Sequence, residues 1–477
     1  MNNQKIKDIF PEVCILKSPD NDSVFSGRNL PSFVKDYLIR KHLLADGTLN
    51  HDSVGDFLSR HLPEAKQLKS LLMGGGSVSI LTRFIVHYDI RGGRVGFSIP
   101  DAGIKPGDGV IPDYVLSDYR NKNGGEGFGE GEKWGVLKLI YNPPNPPTDK
   151  TGHIELVEYK PFRPYRVDLD YFRDCRRQFT TEEWIDVLLS AMEYNPEGFN
   201  GIAQKLEFLS RLLVFVEPRL NMIELAPKGT AKSYVFGNLS KYGWLVSGGK
   251  VSRAKLFYDK ARNVPGIMRN YDFVAFDEIQ TISFSDPSEV QAILKSYLES
   301  GKATVDNYEF LSECGLMLMG NIPLTADSRP LSRKYFTTLP EIFRESALLD
   351  RFHGFIEGWL LPRMNKEMVL RGWTLNVEYF SEILHALRTS PEYAALVNEV
   401  VVSEQQADLR DLKAVQRLAY AYSKLLFPHI TDPAALNHDD FKRYCLQPAI
   451  HRRGIIKEQC HAIDPEFKEA MPEIRMK

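Results

Sequence analysis

Between Met222 and Ser233 the chain reads M-I-E-L-A-P-K-G-T-A-K-S, an apolar run that breaks into a loop ending in a lysine and a hydroxyl. These residue types at this spacing suit the holding of phosphate. Backbone N–H groups and a helix N-terminus face the anion, the lysine reaches the outer phosphates, and the hydroxyl ligates magnesium. The ATP-binding set is then Pro227, Lys228, Gly229, Thr230, Ala231, Lys232 and Ser233. The common pattern GxxxxGK[ST] has glycine at both outer positions, where this chain has Ala226 and Ala231. One methyl group is tolerated there if both positions keep φ below zero, which makes the loop a variant and not a dead site. The plain alternative is a strand–turn–helix that happens to contain G-T-A-K-S. Farther along, Tyr271 to Phe276 form a second largely apolar run that ends in Asp277 and Glu278. Behind a phosphate loop these acids have separate jobs: Asp277 holds magnesium through water and Glu278 polarises the attacking water. Taken alone, a strand ending in two acids is only a solvated strand end.

Such groups need a frame that brings strand ends together. From Leu220 onward short apolar runs alternate with helical stretches, the pattern of a parallel sheet covered by helices. Gly315 to Asn321 is a third apolar strand with an amide at its tip, and Phe355-Ile356 belongs to a last core strand preceded by Asp350-Arg351. After about Leu361 the periodicity is helical, as in 376–388 and 412–426. Upstream, 30–62 has helical spacing, and Ser77 to Pro100 predicts a β-hairpin turning at Arg91-Gly92-Gly93. A second strand pair, 134–141 and 153–160, flanks the loop N-P-P-N-P-P-T-D-K-T-G, and a glycine-rich stretch, 121–133, lies before it. Thr180 and Glu183 have the spacing of a capping box. The expected division is a helical segment at 1–75, a β-rich, barrel-like domain at 76–160, a linker and helix at 161–200, an α/β core at 201–361 and a helical lid at 362–477.

With 477 residues, 43% hydrophobic and 26% charged, the chain has the composition of an ordinary soluble protein of about three domains. A net charge of −2 confines any nucleic-acid surface to a local patch. Cys14, Cys175, Cys314, Cys445 and Cys460 are odd in number and never in a CxxC, which excludes a disulfide framework and a zinc site and fits a reducing cytosol. No stretch approaches the ~20 apolar residues of a membrane helix. A cytoplasmic protein without a membrane partner is expected.

The segments L-N-M-I-E-L-A-P-K-G-T-A-K-S-Y-V-F, W-L-V-S-G-G-K-V-S-R-A-K-L-F-Y, Y-D-F-V-A-F-D-E-I-Q, L-M-G-N-I-P-L and A-L-L-D-R-F-H-G-F-I-E-G-W-L-L-P-R-M together closely resemble BrxL-type proteins. These are the AAA+ components of BREX phage-defence systems, often labelled Lon-like. More distantly the set resembles minichromosome-maintenance helicases, which share G-T-A-K-S, the S-G followed by a basic stretch, and an L-L-x-R-F arginine finger. The resemblance implies an α/β fold with an AAA+ P-loop sheet and helical lid. It also implies hydrolysis of ATP with Mg2+, a homo-hexamer or stacked double ring, DNA as partner and contact with other defence-system proteins. In the AAA+ arrangement the strand ending in Asn321 lies between the loop strand and the acid strand, so Asn321 orients the lytic water; the plain alternative is a turn asparagine in G-N-I-P. Arg351 becomes a finger into the neighbour's site, a group worth roughly 10³–10⁵ in rate. Arg344 is its rival, and a surface salt bridge to Asp350 or Glu345 is the plain reading. The helicase resemblance favours Arg351 and makes Ala231 compatible with hydrolysis. F-K-R-Y-C-L-Q-P-A-I-H-R-R-G-I-I-K-E-Q-C resembles the end of the lid, which makes Arg452 and Arg453 candidate nucleotide contacts, Arg453 being assigned to the ATP site and the other facing solvent. Longer BrxL-type proteins continue into a Lon-protease-like domain, whereas this sequence ends at Met476-Lys477, so proteolysis is not expected.

Two stretches could meet DNA. Residues 298–313 have the place of a hairpin that enters a ring's channel in helicase-like AAA+ proteins, with Lys302 facing phosphate; the alternative is an ordinary surface hairpin. Lys160 to Phe179 interleaves Arg163, Arg166, Arg173, Arg176 and Arg177 with Phe162, Tyr165, Tyr171 and Phe172, which suits phosphate contact and stacking, or the packing down of a linker. The leading reading is an ATP-driven ring that binds, clamps or translocates on DNA. The other is an ATP-gated scaffold or remodeller of a protein partner.

Overall fold

Period-two alternation in Val78–Asp89 and Gly131–Asn142 produces two long antiparallel strands paired from Val78↔Leu139 to Val86↔Gly131. With Arg94–Ile99, Ile104–Ile111 and His153–Pro161 they close a five-stranded barrel, in the order first, second, third, fifth, fourth. Helix Asp113–Lys122 lies between the third and fourth strands. This is the Greek-key barrel topology of the OB-fold class. Phe84, Phe97, Leu137, Leu139 and Leu156 fill its interior. Gly135 must be glycine, because a Cβ there would stand 2.4 Å from the Lys160 carbonyl oxygen.

The computed structural model describes residues 3–28, 30–44, 48–62, 65–89, 93–122, 128, 131–145, 151–161, 167–260, 264–403 and 409–477. Arg91-Gly92 of the hairpin turn, most of the glycine-rich stretch, Pro146-Pro147 of the proline-rich loop, and Phe162, Arg163, Tyr165 and Arg166 lie outside them. The barrel belongs to a unit spanning Leu38–Pro164, and a second unit comprises Met1–Tyr37 with Tyr165–Lys477. The helical segment expected at 1–75 is thus divided between them. Its first part belongs with the second unit because Cys14–Lys17 pairs as an antiparallel strand with Gly372–Leu375.

The second unit is built on five parallel strands. Their order is Gly354–Glu357, Met222–Ala226, Gly315–Asn321, Phe273–Phe284, Gly243–Val251. Met222–Ala226 is buried at every position, as a parallel strand covered on both faces requires. The strand ending in Asn321 lies between the strand that enters the loop and the strand that carries the acids, as expected. Phe273–Phe284 shifts register between Asp277 and Ile282, then runs on as a ribbon paired with Gly249–Val251. Thr180 and Glu183 form the capping box that starts helix Thr181–Ala191. Helices Val377–Arg388, Leu409–Leu426 and Gln447–Ile463 follow the sheet. Among the described residues no helix is long and apolar enough to cross a membrane.

Candidate nucleotide site

Strand Met222–Ala226 ends level with Asn321, and the chain then turns through Pro227–Ala231 into helix Lys232–Asn238. Two residues make that turn with left-handed backbone, Gly229 at φ 84° and Ala231 at φ 63°. The expectation that both alanines keep negative φ is overturned at Ala231. That residue is the N-cap of the following helix, and the chain passes from loop to helix through a left-handed step there. The Cβ clash costs roughly 1–2 kcal/mol. The Gly229 carbonyl accepts from the Met364 N–H at 2.8 Å, which ties the loop to the segment after the last sheet strand.

The Lys232 side chain is buried, and its ammonium rests on the carbonyls of Pro227 (3.2 Å) and Ala226 (3.4 Å). Burial pushes its pKa down, a cost that an arriving phosphate would relieve. The Ser233 hydroxyl donates to the Asp277 carboxylate at 2.5 Å. The two side chains proposed as magnesium ligands therefore meet, one from the loop helix and one from the acid strand. Glu278 is exposed and left-handed, φ 47°, at the start of the register shift. A bulge of this kind re-aims a side chain out of the sheet. Asn321 lies on the same sheet edge, its carbonyl accepting from Gln280 Nε2 at 2.7 Å.

Some supports of the site had not been read from the sequence. Arg211 is fully buried, spans Glu224 with both ends of its guanidinium (2.9 and 2.5 Å), and donates to the Thr230 carbonyl of the loop at 2.8 Å. The available signal was Glu224 itself, an acid inside a buried strand that must find a cation. Glu193, left-handed at φ 73°, accepts from Lys17, from Ser32 and from the hydroxyl of Tyr234, the residue after Ser233.

Arg351 stands at the other end of the sheet. Gly354 pairs with Met222, and the His353 N–H donates to the Asn221 carbonyl, so the loop begins a full strand length away, roughly 13 Å at 3.3 Å per residue. Its Nε lies 3.1 Å from Glu299, and the guanidinium donates to the Ala347 carbonyl. The expected partners are engaged elsewhere: Asp350 with Arg410 and Arg453, Glu345 with Lys295. The rival Arg344 is exposed and donates to the Leu339 carbonyl at 2.6 Å.

Three expected contacts are spent inside the protein. Arg453 has no exposed surface; it pairs with Asp350 (2.5 Å) and Asp411 (2.8 Å) and donates to the carbonyls of Asp350 and Phe352. Arg452 is also buried, on Glu207 and the Tyr422 hydroxyl, so neither arginine faces solvent and neither is free for nucleotide. Arg176 is buried too, donating to the carbonyls of Leu426 and Phe179 beneath the Trp184 ring, with its pKa pushed down to about 10 by burial. The aromatics beside it, Phe172 and Phe179, pack with Phe10 and Trp184, so this part of the basic segment is a packed linker. Arg177 is exposed and paired with Asp174. Lys302 is exposed at the base of a hairpin, Lys302–Val305 against Tyr308–Leu311, whose turn has Asp306 at φ 53°.

A family model described as "Lon-like protease BrxL-like, ATPase domain" matches residues 154–473, and one described as "BREX system Lon protease-like protein BrxL N-terminal" matches residues 8–141. The chain is 28% identical over 440 residues to the Lon-like protease BrxL of Escherichia coli O9:H4 (strain HS), covering 91% of this chain and 61% of that protein. It is 26% identical over 411 residues to the Lon-like protease BrxL of Bacillus cereus (strain H3081.97), covering 84% of this chain and 59% of that protein. The chain spans about three-fifths of the length of these curated relatives.

Proposed function

The chain belongs to the BrxL family, and from that premise we propose that it is an AAA+ ATPase subunit of a homo-oligomeric ring, its helical C-terminal part forming the lid. The observation that carries this reading is the contact of Ser233 with Asp277 beneath a loop that begins level with Asn321. Lys232 would leave the Ala226 and Pro227 carbonyls for phosphate. Glu278 would take a proton from water that Asn321 holds in line. Ser233 and Asp277 would hold Mg2+, which neutralises phosphate charge. Arg351, a strand length from its own loop, would serve a neighbouring copy, which makes the ring a condition of hydrolysis. The family model matched by the N-terminal part is described as a BREX-system protein, and a role in such a defence, with other proteins of the system and with DNA, follows as part of the proposal. The Lys302 hairpin and a barrel of the class that binds oligonucleotides support the DNA reading.

Lys232→Ala is expected to abolish ATP binding, and Glu278→Gln to keep binding while stopping hydrolysis. Arg351→Ala should bind nucleotide, lose turnover, and regain part of it when mixed with Lys232→Ala subunits. Calorimetry showing equal nucleotide affinity in wild type and Lys232→Ala would refute the loop assignment. Electron micrographs with and without DNA and a non-hydrolysable ATP analogue test the ring.

A further inference from the structure

The parallel sheet loses a strand pairing at the point where the Asn321 strand ends. Gly315–Asn321 pairs with the acid strand only as far as Phe276↔Leu318, while its pairing with the loop strand continues to Asn321↔Ala226. Beyond Asp277 the acid strand bulges: it runs from Asp277 to Ile282 while its other neighbour advances only from Ser247 to Gly249. The Asn321 backbone therefore faces an empty place in the ladder, and its N–H and carbonyl need partners. A side chain from the bulge supplies them. Gln280 Nε2 donates to the Asn321 carbonyl at 2.7 Å, and Gln280 Oε1 accepts the Asn321 N–H at 3.3 Å. A carboxamide carries a donor and an acceptor in one plane, as a peptide group does. Glutamine can thus replace the missing strand, where an acid or an alkyl chain cannot.

Neighbouring groups hold this bridge in place. Ile279 is fully buried, which pins the bulge to the core. The Glu278 N–H donates to Asp277 Oδ1, and the Thr281 hydroxyl donates to the Glu278 carbonyl, each at 2.9 Å. Gly320 leaves room for the amide, since a Cβ there would stand 2.6 Å from Gln280 Nε2. Gln280 thus ties the segment that carries the acid to the strand tip that carries the asparagine. We propose that Gln280 is a positioning residue for ATP hydrolysis: it fixes the strand tip so that the Asn321 side chain holds its water at the height of Glu278. This rests on Glu278 and Asn321 serving the attacking water, as proposed above. In this role Gln280 acts through Asn321 and touches neither water nor phosphate. Such a centre must be held to within about 0.5 Å, and a misplacement of about 1 Å can cost on the order of 100-fold in rate.

The test is a single-turnover ATPase assay, with ATP affinity and thermal midpoint measured alongside. Gln280→Ala is expected to slow hydrolysis by about ten- to a hundredfold at unchanged ATP affinity. Its thermal midpoint should stay close to wild type, because the side chain is exposed. Gln280→Glu keeps the length and the acceptor but loses the donor and sets a carboxylate against the Asn321 carbonyl, so it should be slowed as much. Asn321→Ala should also be slow. Adding Gln280→Ala to Asn321→Ala should then slow hydrolysis no further, since no side chain remains to be positioned. A further full loss in that double variant would make Gln280 a prop of the bulge or of Glu278 and overturn the inference. Lowered ATP affinity in place of slowed hydrolysis would move Gln280 to nucleotide binding and overturn it as well. Wild-type turnover in both Gln280 variants, with Asn321→Ala slow, would overturn it and leave the reading of Asn321 and Glu278 standing. Wild-type turnover in Asn321→Ala would instead overturn the assignment of Asn321 itself, and the inference with it.

Discussion

Lys232 and Arg453 show how differently two buried cations can be held. Lys232 leans on two carbonyls and, among the described residues, has no carboxylate bonded to it, so its charge is available. Arg453 is enclosed by Asp350, Asp411 and two carbonyls, and removing it would leave two acids buried around a void. Arg453→Ala should therefore cost about 3–5 kcal/mol of stability, the range for breaking a buried ion pair, while the folded fraction keeps its ATP affinity. Urea denaturation alongside nucleotide titration checks both halves. Lost affinity at unchanged stability would return Arg453 to the ATP site.

Among the elements, the segment that carries Arg351 is anchored by His353. The His353 Nδ1 accepts the Asn221 N–H at 3.0 Å, and the His353 N–H returns to the Asn221 carbonyl at 2.8 Å. Burial, reinforced by Arg417 and Arg453, holds the imidazole pKa well below its ordinary 6.5. The unfolded chain then binds the extra proton first as pH falls. Stability from this group is complete above 6.5 and declines below it by about 1.4 kcal/mol per pH unit until the folded value is reached. Urea midpoints at pH 7 and pH 5.5 should show this decline in wild type and a shallower one in His353→Gln. Equal slopes would mean that His353 is not held neutral by the fold.

For the whole molecule, a net charge of −2 means that any DNA affinity must come from a few placed cations. If the Lys302 hairpin lines a ring's channel, Lys302→Glu should weaken DNA binding equally across sequences and lower the salt slope by about 1, with ATP binding unchanged. Arg177→Glu is the matching test of the basic segment, since Arg176 is part of the core and its loss would unfold the linker. A salt titration separates the two sites. If wild type binds no DNA even at low salt, the ATP-gated scaffold becomes the better account.

Several features were local enough to be read from residue order. The loop residues 227–233, the acids after an apolar strand, the capping box at Thr180 and the hairpin at 302–311 each depend on neighbours within a few positions. Four strands of the barrel were legible for the same reason, but the third, Ile104–Ile111, was not, and closure through the parallel pairing of its Gly109 with Ile154 was not spelled out by any one segment. Tertiary structure alone decided which cations are spent. Arg176 and Arg177 are adjacent in sequence, yet one donates to Leu426, 250 positions away, and the other to Asp174 on its own helix. Arg452 and Arg453 are buried for a similar reason: helix Gln447–Ile463 places them against acids at 207, 350 and 411. The left-handed backbone at Ala231 and the Arg211–Glu224 pair belong to the same class. A charged side chain's fate depends on which distant carboxylate or carbonyl the fold brings within about 3 Å, and periodicity along the chain carries no record of that distance.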